Sequence, residues 1–270
     1  MAGTTFEFDG EVLRLAGSGS SLQAASQDLP NGAYSTLRTY RRDRVLRLAQ
    51  HVARLNETAA LQGSAGSLDE GRVRSAIAQV LAATAYAESR LRLTFAPPRF
   101  FVSVEPFAPL PAALYRDGVA CVTVPLHRTN PHAKDTRFAA RAATAYAALP
   151  AGIQEGLMVA EDGAILEGLS SNLFAVGGGV LRTEEARALL GVTRSLVLEV
   201  ARGVVPVVAR AAHLADLPSL TEAFLTSVSR GILPAVRIND VPVGDGRPGP
   251  VTRDLTGRFQ ALVDREATPV

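Results

Sequence analysis

Lysine is nearly missing from this chain. Of 28 basic residues, 27 are arginine and one, Lys134, is lysine. Either residue carries a surface charge, but arginine, whose pKa stays above ~12, cannot shed its proton and act as an amine nucleophile. A desolvated lysine can. Composition alone leaves two readings open for Lys134, a catalytic amine or a stray surface charge. Cysteine is also scarce: Cys121 stands alone, which excludes an internal disulfide framework. No apolar run approaches the ~20 residues of a membrane-spanning helix. A net charge of +2 without a basic block argues against a nucleic-acid partner. The first residues lack a charged stretch followed by an apolar one, so no signal peptide is expected, and the cytoplasm is the expected location.

What is present reads as a mixture of strands and helices. Alternating or β-branched stretches at 4–8, 12–15, 33–40, 90–95 and 100–104 predict strands, and helical apolar spacing predicts helices over 48–61 and 68–86. Three prolines among residues 106–111 mark a break. Beyond it, strands are expected at 118–125, 156–159, 164–167, 172–176, 180–181, 223–227 and 235–238. Helices are expected at 137–148, 193–202 and 251–265. The fold class is α+β, with a small N-terminal α/β domain at 1–108 and a larger mixed domain at 109–270 that carries Lys134. No solenoid-period repeat is visible, and Gly177–Gly179 is a turn outside any strand–GxGxxG–helix context.

Two segments carry the chemistry. Lys134 sits just before a helix in Asn130-Pro131-His132-Ala133-Lys134-Asp135-Thr136-Arg137-Phe138. Downstream comes Glu167-Gly168-Leu169-Ser170-Ser171-Asn172-Leu173-Phe174. Glu167 closes an apolar strand and precedes glycine, which pushes its carboxylate toward a strand end; an exposed turn carboxylate is the plain alternative. His51, His127, His132 and His213 have no metal-ligand spacing, and Cys121, in an apolar strand, reads as an inert core thiol.

With Glu-Gly-x-x-x-Asn-x-Phe and its upstream lysine, the chain resembles the class IV aminotransferases, pyridoxal-phosphate enzymes of fold type IV. That family includes branched-chain and D-amino-acid aminotransferases and 4-amino-4-deoxychorismate lyases. The resemblance runs from about Asn31 to Gly246. It implies pyridoxal 5'-phosphate as cofactor, Lys134 as its Schiff-base lysine and Glu167 as the carboxylate facing the pyridine nitrogen. A cofactor that must accept electrons needs both: an amine to hold its aldehyde and move a proton, and a carboxylate to keep the ring nitrogen charged.

The resemblance also implies the phosphate donors. Arg54, in His51-Val52-Ala53-Arg54-Leu55, is similar to the family's His-x-x-Arg-Leu arginine. Gly191-Val192-Thr193-Arg194 resembles the family's Gly-Ile-Thr-Arg and opens a helix, where the N–H groups of Val192 and Thr193 suit an anion. Thr193 adds a hydroxyl, and the plain alternative for it is the N-cap of that helix. The segment 224–234 resembles the third phosphate loop, with Val228 offering its backbone and Ser229 its hydroxyl.

On the substrate side, Thr36, Arg38 and Arg92 are the candidates. Arg38 is either a bidentate carboxylate clamp or a strand anchor; Arg92, on an alternating strand, is a second clamp. Phe138 falls near a family tyrosine and cannot make that residue's hydrogen bond. The expected activity is amino transfer between an amino acid and a 2-oxo acid, of branched-chain or D-amino-acid type, by a homodimer. The alternatives are the lyase, which eliminates pyruvate, and a binding protein that kept the fold without the cofactor.

Overall fold

Residues 2–10 and 12–270 are described by the computed structural model. The chain divides into two compact units. The first holds the residues up to Ala108 together with Ala133–Arg137 and Val263–Val270; the second holds Pro109–His132 and Phe138–Leu262. A single cut after residue 108 therefore differs from the packing in two places, and Lys134 packs with the first unit. The cause is backbone pairing: Ala33 bridges Asp135, and the C-terminal strand Thr268–Pro269 pairs with Arg44–Val45.

The first unit is built on an antiparallel sheet of β1 (Gly3–Asp9), β2 (Val12–Gly19), β3 (Ala33–Arg38), β5 (Ser89–Ala96) and β6 (Arg99–Pro106), in the order β2-β1-β6-β5-β3. The two-residue β4 is Arg44–Val45. A short helix α1 (Leu22–Ala25) was not foreseen in the sequence; α2 (Leu48–Leu61) and α3 (Glu70–Thr84) were. Leu48, Val52, Leu55 and Ala59 recur at helical spacing on α2, as do Val73, Ala76, Ile77 and Val80 on α3. They share one core with Leu37, Leu91, Leu93, Val102 and Val104 of the sheet. Burying each large side chain contributes about 1.5–3 kcal/mol. Asp69 caps α3 by accepting from the Arg72 N–H at 2.8 Å. Asn56 both donates to and accepts from the Leu68 backbone at 2.8 Å, which ties α2 to the lead-in of α3.

Past the prolines at 106–111 come a short helix α4 (Ala112–Asp117), also unforeseen, β7 (Val119–Val124), α5 (Thr136–Ala147), which belongs to the second unit from Phe138 on, β8 (Ile153–Val159), β9 (Ala164–Gly168), β10 (Asn172–Gly177) and β11 (Val180–Arg182). There follow α6 (Val192–Ala201), β12 (Val207–Val208), β13 (Ala212–His213), a 3-10 turn at Leu214–Ser219, β14 (Glu222–Ser227), β15 (Gly231–Ile238), β16 (Val241–Pro242) and α7 (Pro250–Glu266). The sheet runs β12-β11-β10-β14-β15-β7-β8-β9-β13, with β16 paired to β15. β7 is parallel to both its neighbours, while β9, β10 and β14 pair antiparallel with the strands before or after them.

β9 and β10 are buried along their whole length, which explains their continuous apolar runs. Phe174 and Phe224 stand opposite each other on β10 and β14 and stack at 5.0 Å. Cys121 is fully buried in this core, and burial pushes its thiol up to about 12, so it is inert as a nucleophile. Glu222, 5% exposed, accepts from the Val251 and Thr252 N–H groups and from the Thr252 hydroxyl, capping α7 from a neighbouring strand. A carboxylate there also suits the positive end of the helix dipole. Gly249 is required beside it, because a Cβ would collide with the Glu222 carboxyl group.

Candidate active site

The first unit holds Lys134 by its backbone. The Tyr34 N–H donates to the Lys134 carbonyl at 2.9 Å, and the Lys134 N–H donates to Thr58 Oγ1 at 3.1 Å. Thr136 and Gly32 bond reciprocally, each at 3.0 Å. The segment thus lies along β3 like a short extra strand, which restricts the directions open to the lysine side chain. Its Nζ stands 4.7 Å from the Tyr34 ring centroid, within cation–π range. Arg92 approaches the same ring at 5.3 Å.

Beside Tyr34, Ser35 joins two residues of α2. His51 and Arg54 are three apart and share a helix face. The Arg54 guanidinium donates to Ser35 Oγ at 2.7 Å, and Ser35 Oγ lies 2.8 Å from His51 Nδ1. All three are buried. Burial, then the neighbouring Arg54 and Lys134 charges, hold His51 well below its ordinary value, so the ring is neutral at pH 7. A histidine whose folded pKa is depressed binds its proton first in the unfolded chain. Stability is therefore undiminished above about pH 6.5 and falls as pH drops below it, by up to ~1.4 kcal/mol per unit from this group. Thermal melts between pH 7 and pH 5 are expected to show a shallower loss for His51→Asn than for the native chain; parallel slopes would assign the effect to other groups.

The remaining first-unit candidates are engaged locally. Arg38 donates to Glu88 at 2.6 Å and stacks over Phe107 and Tyr40 at 3.7 and 4.4 Å, the geometry of a strand anchor. Arg92 donates to Gln23 and Ser26 at 2.9 and 2.8 Å. Thr36 lies directly opposite Arg92 in the β3–β5 register.

In the second unit Glu167 is 2% exposed, so it is no turn carboxylate on the surface. Arg128 donates through Nε to Glu167 Oε1 at 2.7 Å, with both side chains buried, and its guanidinium covers the Phe138 ring at 3.7 Å. Removing either member of such a pair strands a buried charge. Arg128 has no distinguishing signal in the sequence, being one arginine among 27 on a loop, and sequence reasoning missed it.

Asn172 of the same motif donates to the Leu189 carbonyl at 2.7 Å and approaches Glu167 Oε2 at 3.5 Å. It also sets the start of α6. A Cβ on Gly191 would collide with Asn172 Oδ1, so a larger residue there would have to displace the Asn172 amide that bonds the Leu189 carbonyl. Gly191, not Thr193, is the N-cap, and it has no side chain to cap with. The alternative N-cap reading of Thr193 does not hold, because the helix starts one residue before it; Thr193 is the second residue of the helix, buried next to Val192. The first turn of α6 therefore presents its N–H groups without a side-chain cap, an arrangement suited to an anion.

Thr226 pairs with Asn172 across β14 and β10, and its Oγ1 is buried without a hydrogen-bond partner among the described residues. Val228 and Ser229 form the turn between β14 and β15. The next residue, Arg230, donates to Glu155 Oε2 at 2.7 Å. The same carboxylate accepts from Ser171 Oγ at 2.8 Å and from the Leu169 N–H at 3.1 Å. Fully buried Glu155 thus ties the 169–171 turn to the 228–230 turn, a link between distant segments that spacing could not reveal.

The model of the class IV aminotransferase family matches residues 32–238. This chain belongs to that family. Over 118 residues it is 33% identical to the branched-chain-amino-acid aminotransferase of Escherichia coli strain K12, covering 43% of this chain and 38% of that protein. A Methanocaldococcus jannaschii protein assigned the same activity is 28% identical over 162 residues, 57% of this chain and 56% of its own. The matched stretches span between 38 and 56% of these two relatives' lengths. Among solved structures, the T.th. branched-chain amino acid aminotransferase with pyridoxamine 5'-phosphate superposes with a TM-score of 0.81 at 22% identity, covering 100% of this chain and 99% of that one. The Thermoproteus uzoniensis branched-chain aminotransferase with norvaline gives 0.81 at 22%, covering 98% and 99%. These two likenesses establish the fold, pyridoxal-phosphate fold type IV. Among the described residues no helix is long and apolar enough to cross a membrane, and no group of three or more His, Cys, Asp or Glu could hold a metal ion.

Proposed function

We propose that this chain is a pyridoxal-phosphate-dependent aminotransferase that moves an amino group between an amino acid and a 2-oxo acid. The carrying observation is that the chain's one lysine is clamped by its backbone against β3, beside buried Arg54, Ser35 and His51. The donor set suits the cofactor. One amine is available for an aldehyde, and one buried carboxylate for a pyridinium. In the second unit an uncapped helix start and the buried Thr226 hydroxyl suit a phosphate, and the family resemblance adds Arg54 of the first.

When bound, the cofactor supplies an electron sink for the bonds at the substrate's α-carbon. The chain's residues do the rest. Lys134 holds the aldehyde and then moves the proton at Cα. Glu167, ion-paired with Arg128, is the carboxylate for the ring nitrogen. Arg54, the N–H groups of Val192 and Thr193, the Val228 backbone and the Ser229 hydroxyl hold the phosphate. Arg92 is kept for the substrate carboxylate, with Thr36 opposite it, because the named partners of Arg92 are neutral. Arg38 has its charge matched by Glu88 and serves as an anchor. A cytoplasmic homodimer acting on small molecules belongs to the same reading, supported by the family resemblance and the lone cysteine.

The test is a spectrum. Amino donors added to cofactor-loaded protein are expected to bleach its visible band, and 2-oxo acids to restore it. No response to any donor, with pyruvate and 4-aminobenzoate released from aminodeoxychorismate, would replace transfer by elimination.

A further inference from the structure

We propose that Ser35 and His51 are positioning residues that fix the Arg54 guanidinium for a phosphate group, a step that rests on the reading of Arg54 given above. The hydrogen bonds leave little freedom in how this works. A guanidinium only donates, so at 2.7 Å Ser35 Oγ is the acceptor of the Arg54 hydrogen. The one hydroxyl hydrogen of Ser35 then points to His51 Nδ1 at 2.8 Å, and that nitrogen must accept it. His51 is thereby held neutral with its proton on Nε2. Burial and the charges of Arg54 and Lys134 favour the same state. A protonated ring would carry a hydrogen on Nδ1, reverse the hydroxyl and add a second cation beside the arginine.

The relay has no slack. Ser35, His51 and Arg54 are 0%, 2% and 8% exposed, and Ser35 is fixed to β3 next to Tyr34, whose N–H holds the Lys134 carbonyl. Both relay partners are uncharged groups that orient the guanidinium through hydrogen bonds. Arg38 in the same unit shows the opposite arrangement, with the Glu88 carboxylate 2.6 Å away. A guanidinium already held in place leaves less ordering to be done when an anion binds.

The experiment compares two probes that differ only in the phosphate. Full-length protein stripped of cofactor is titrated spectroscopically with pyridoxal 5'-phosphate and with pyridoxal. Ser35→Ala and His51→Leu are expected to weaken the phosphorylated probe about tenfold, the scale of a lost hydrogen bond to a charged group, and to leave pyridoxal binding unchanged. His51→Asn, which returns an amide oxygen near the place of Nδ1, should recover most of the loss. Equal weakening of both probes would show that the cluster only supports the fold and would overturn the proposal, as would unchanged affinity for the phosphorylated one. Ser35→Ala removes a single oxygen and carries the test if His51→Leu does not fold. Arg54→Gln separates the two levels of argument. If it leaves the preference for the phosphorylated probe intact, Arg54 is not the phosphate anchor, and the proposal falls with the reading beneath it.

Discussion

Lys134→Ala is expected to yield a folded protein with no covalently held cofactor and turnover reduced by more than about 10⁴-fold. General acid–base work alone is worth ~10²–10⁴, and this variant also loses the amine that holds the aldehyde. The fold should survive. The contacts that clamp residue 134 use its backbone N–H and carbonyl, which alanine keeps. The Tyr34 contact that disappears is worth about 0.5–2 kcal/mol. Borohydride treatment of the native, cofactor-loaded protein followed by peptide mapping should place the reduced label on Lys134. Lys134 is the one lysine in the sequence, so it is the side-chain amine that the map should find. Label at the N-terminus alone would remove Lys134 from its role.

Glu167→Gln is expected to bind the cofactor and turn over about 10²–10³-fold more slowly, the usual cost of deleting one preorganised charge-stabilising group. Glutamine preserves the shape and can still accept from Arg128 and lie beside Asn172, but it cannot balance a charge. The variant should also melt lower, because Arg128 is left buried without its counter-ion; breaking such a pair costs about 3–5 kcal/mol. The two effects are read separately, turnover at saturating cofactor well below the melting temperature and stability by thermal melt. Native turnover in a destabilised variant would mean that Glu167 serves the fold and that another group faces the ring nitrogen.

The legible parts of the molecule were those whose cause is local. The α2 helix has the same ends in the sequence reading and the structure, 48–61, because its apolar residues recur at helical spacing over four turns. The β1–β2 and β5–β6 hairpins followed from alternation interrupted by turn residues. β15 was read as 235–238, yet the strand begins at Gly231 and runs through Pro234. The parallel neighbour β7 joins only from Ala235, so Pro234 lies where one edge of the strand is still open and a missing N–H costs little. The helix cap at Gly191 was hidden for another reason: the atom that a side chain there would have to displace belongs to Asn172, on β10.

The site divided along the same line. Lys134, Glu167 and Arg54 are candidates because they lie in segments whose residue order is itself distinctive. Arg128, Ser35 and Glu155 were not, since each matters through a partner many positions away. Among 27 arginines, only the fold shows which one meets Glu167.

The first unit is completed by Val263–Val270, whose strand pairs with β4 and whose Asp264 and Glu266 take ion pairs from Arg41 and Arg47. During synthesis almost all of the second unit is made before these residues. The part of the molecule that begins the chain is therefore among the last to close, and its early surface around Val45 must wait exposed while the ribosome works through the rest. Such long-range closure slows folding, and it concentrates the hazard of premature association on the half-finished first unit.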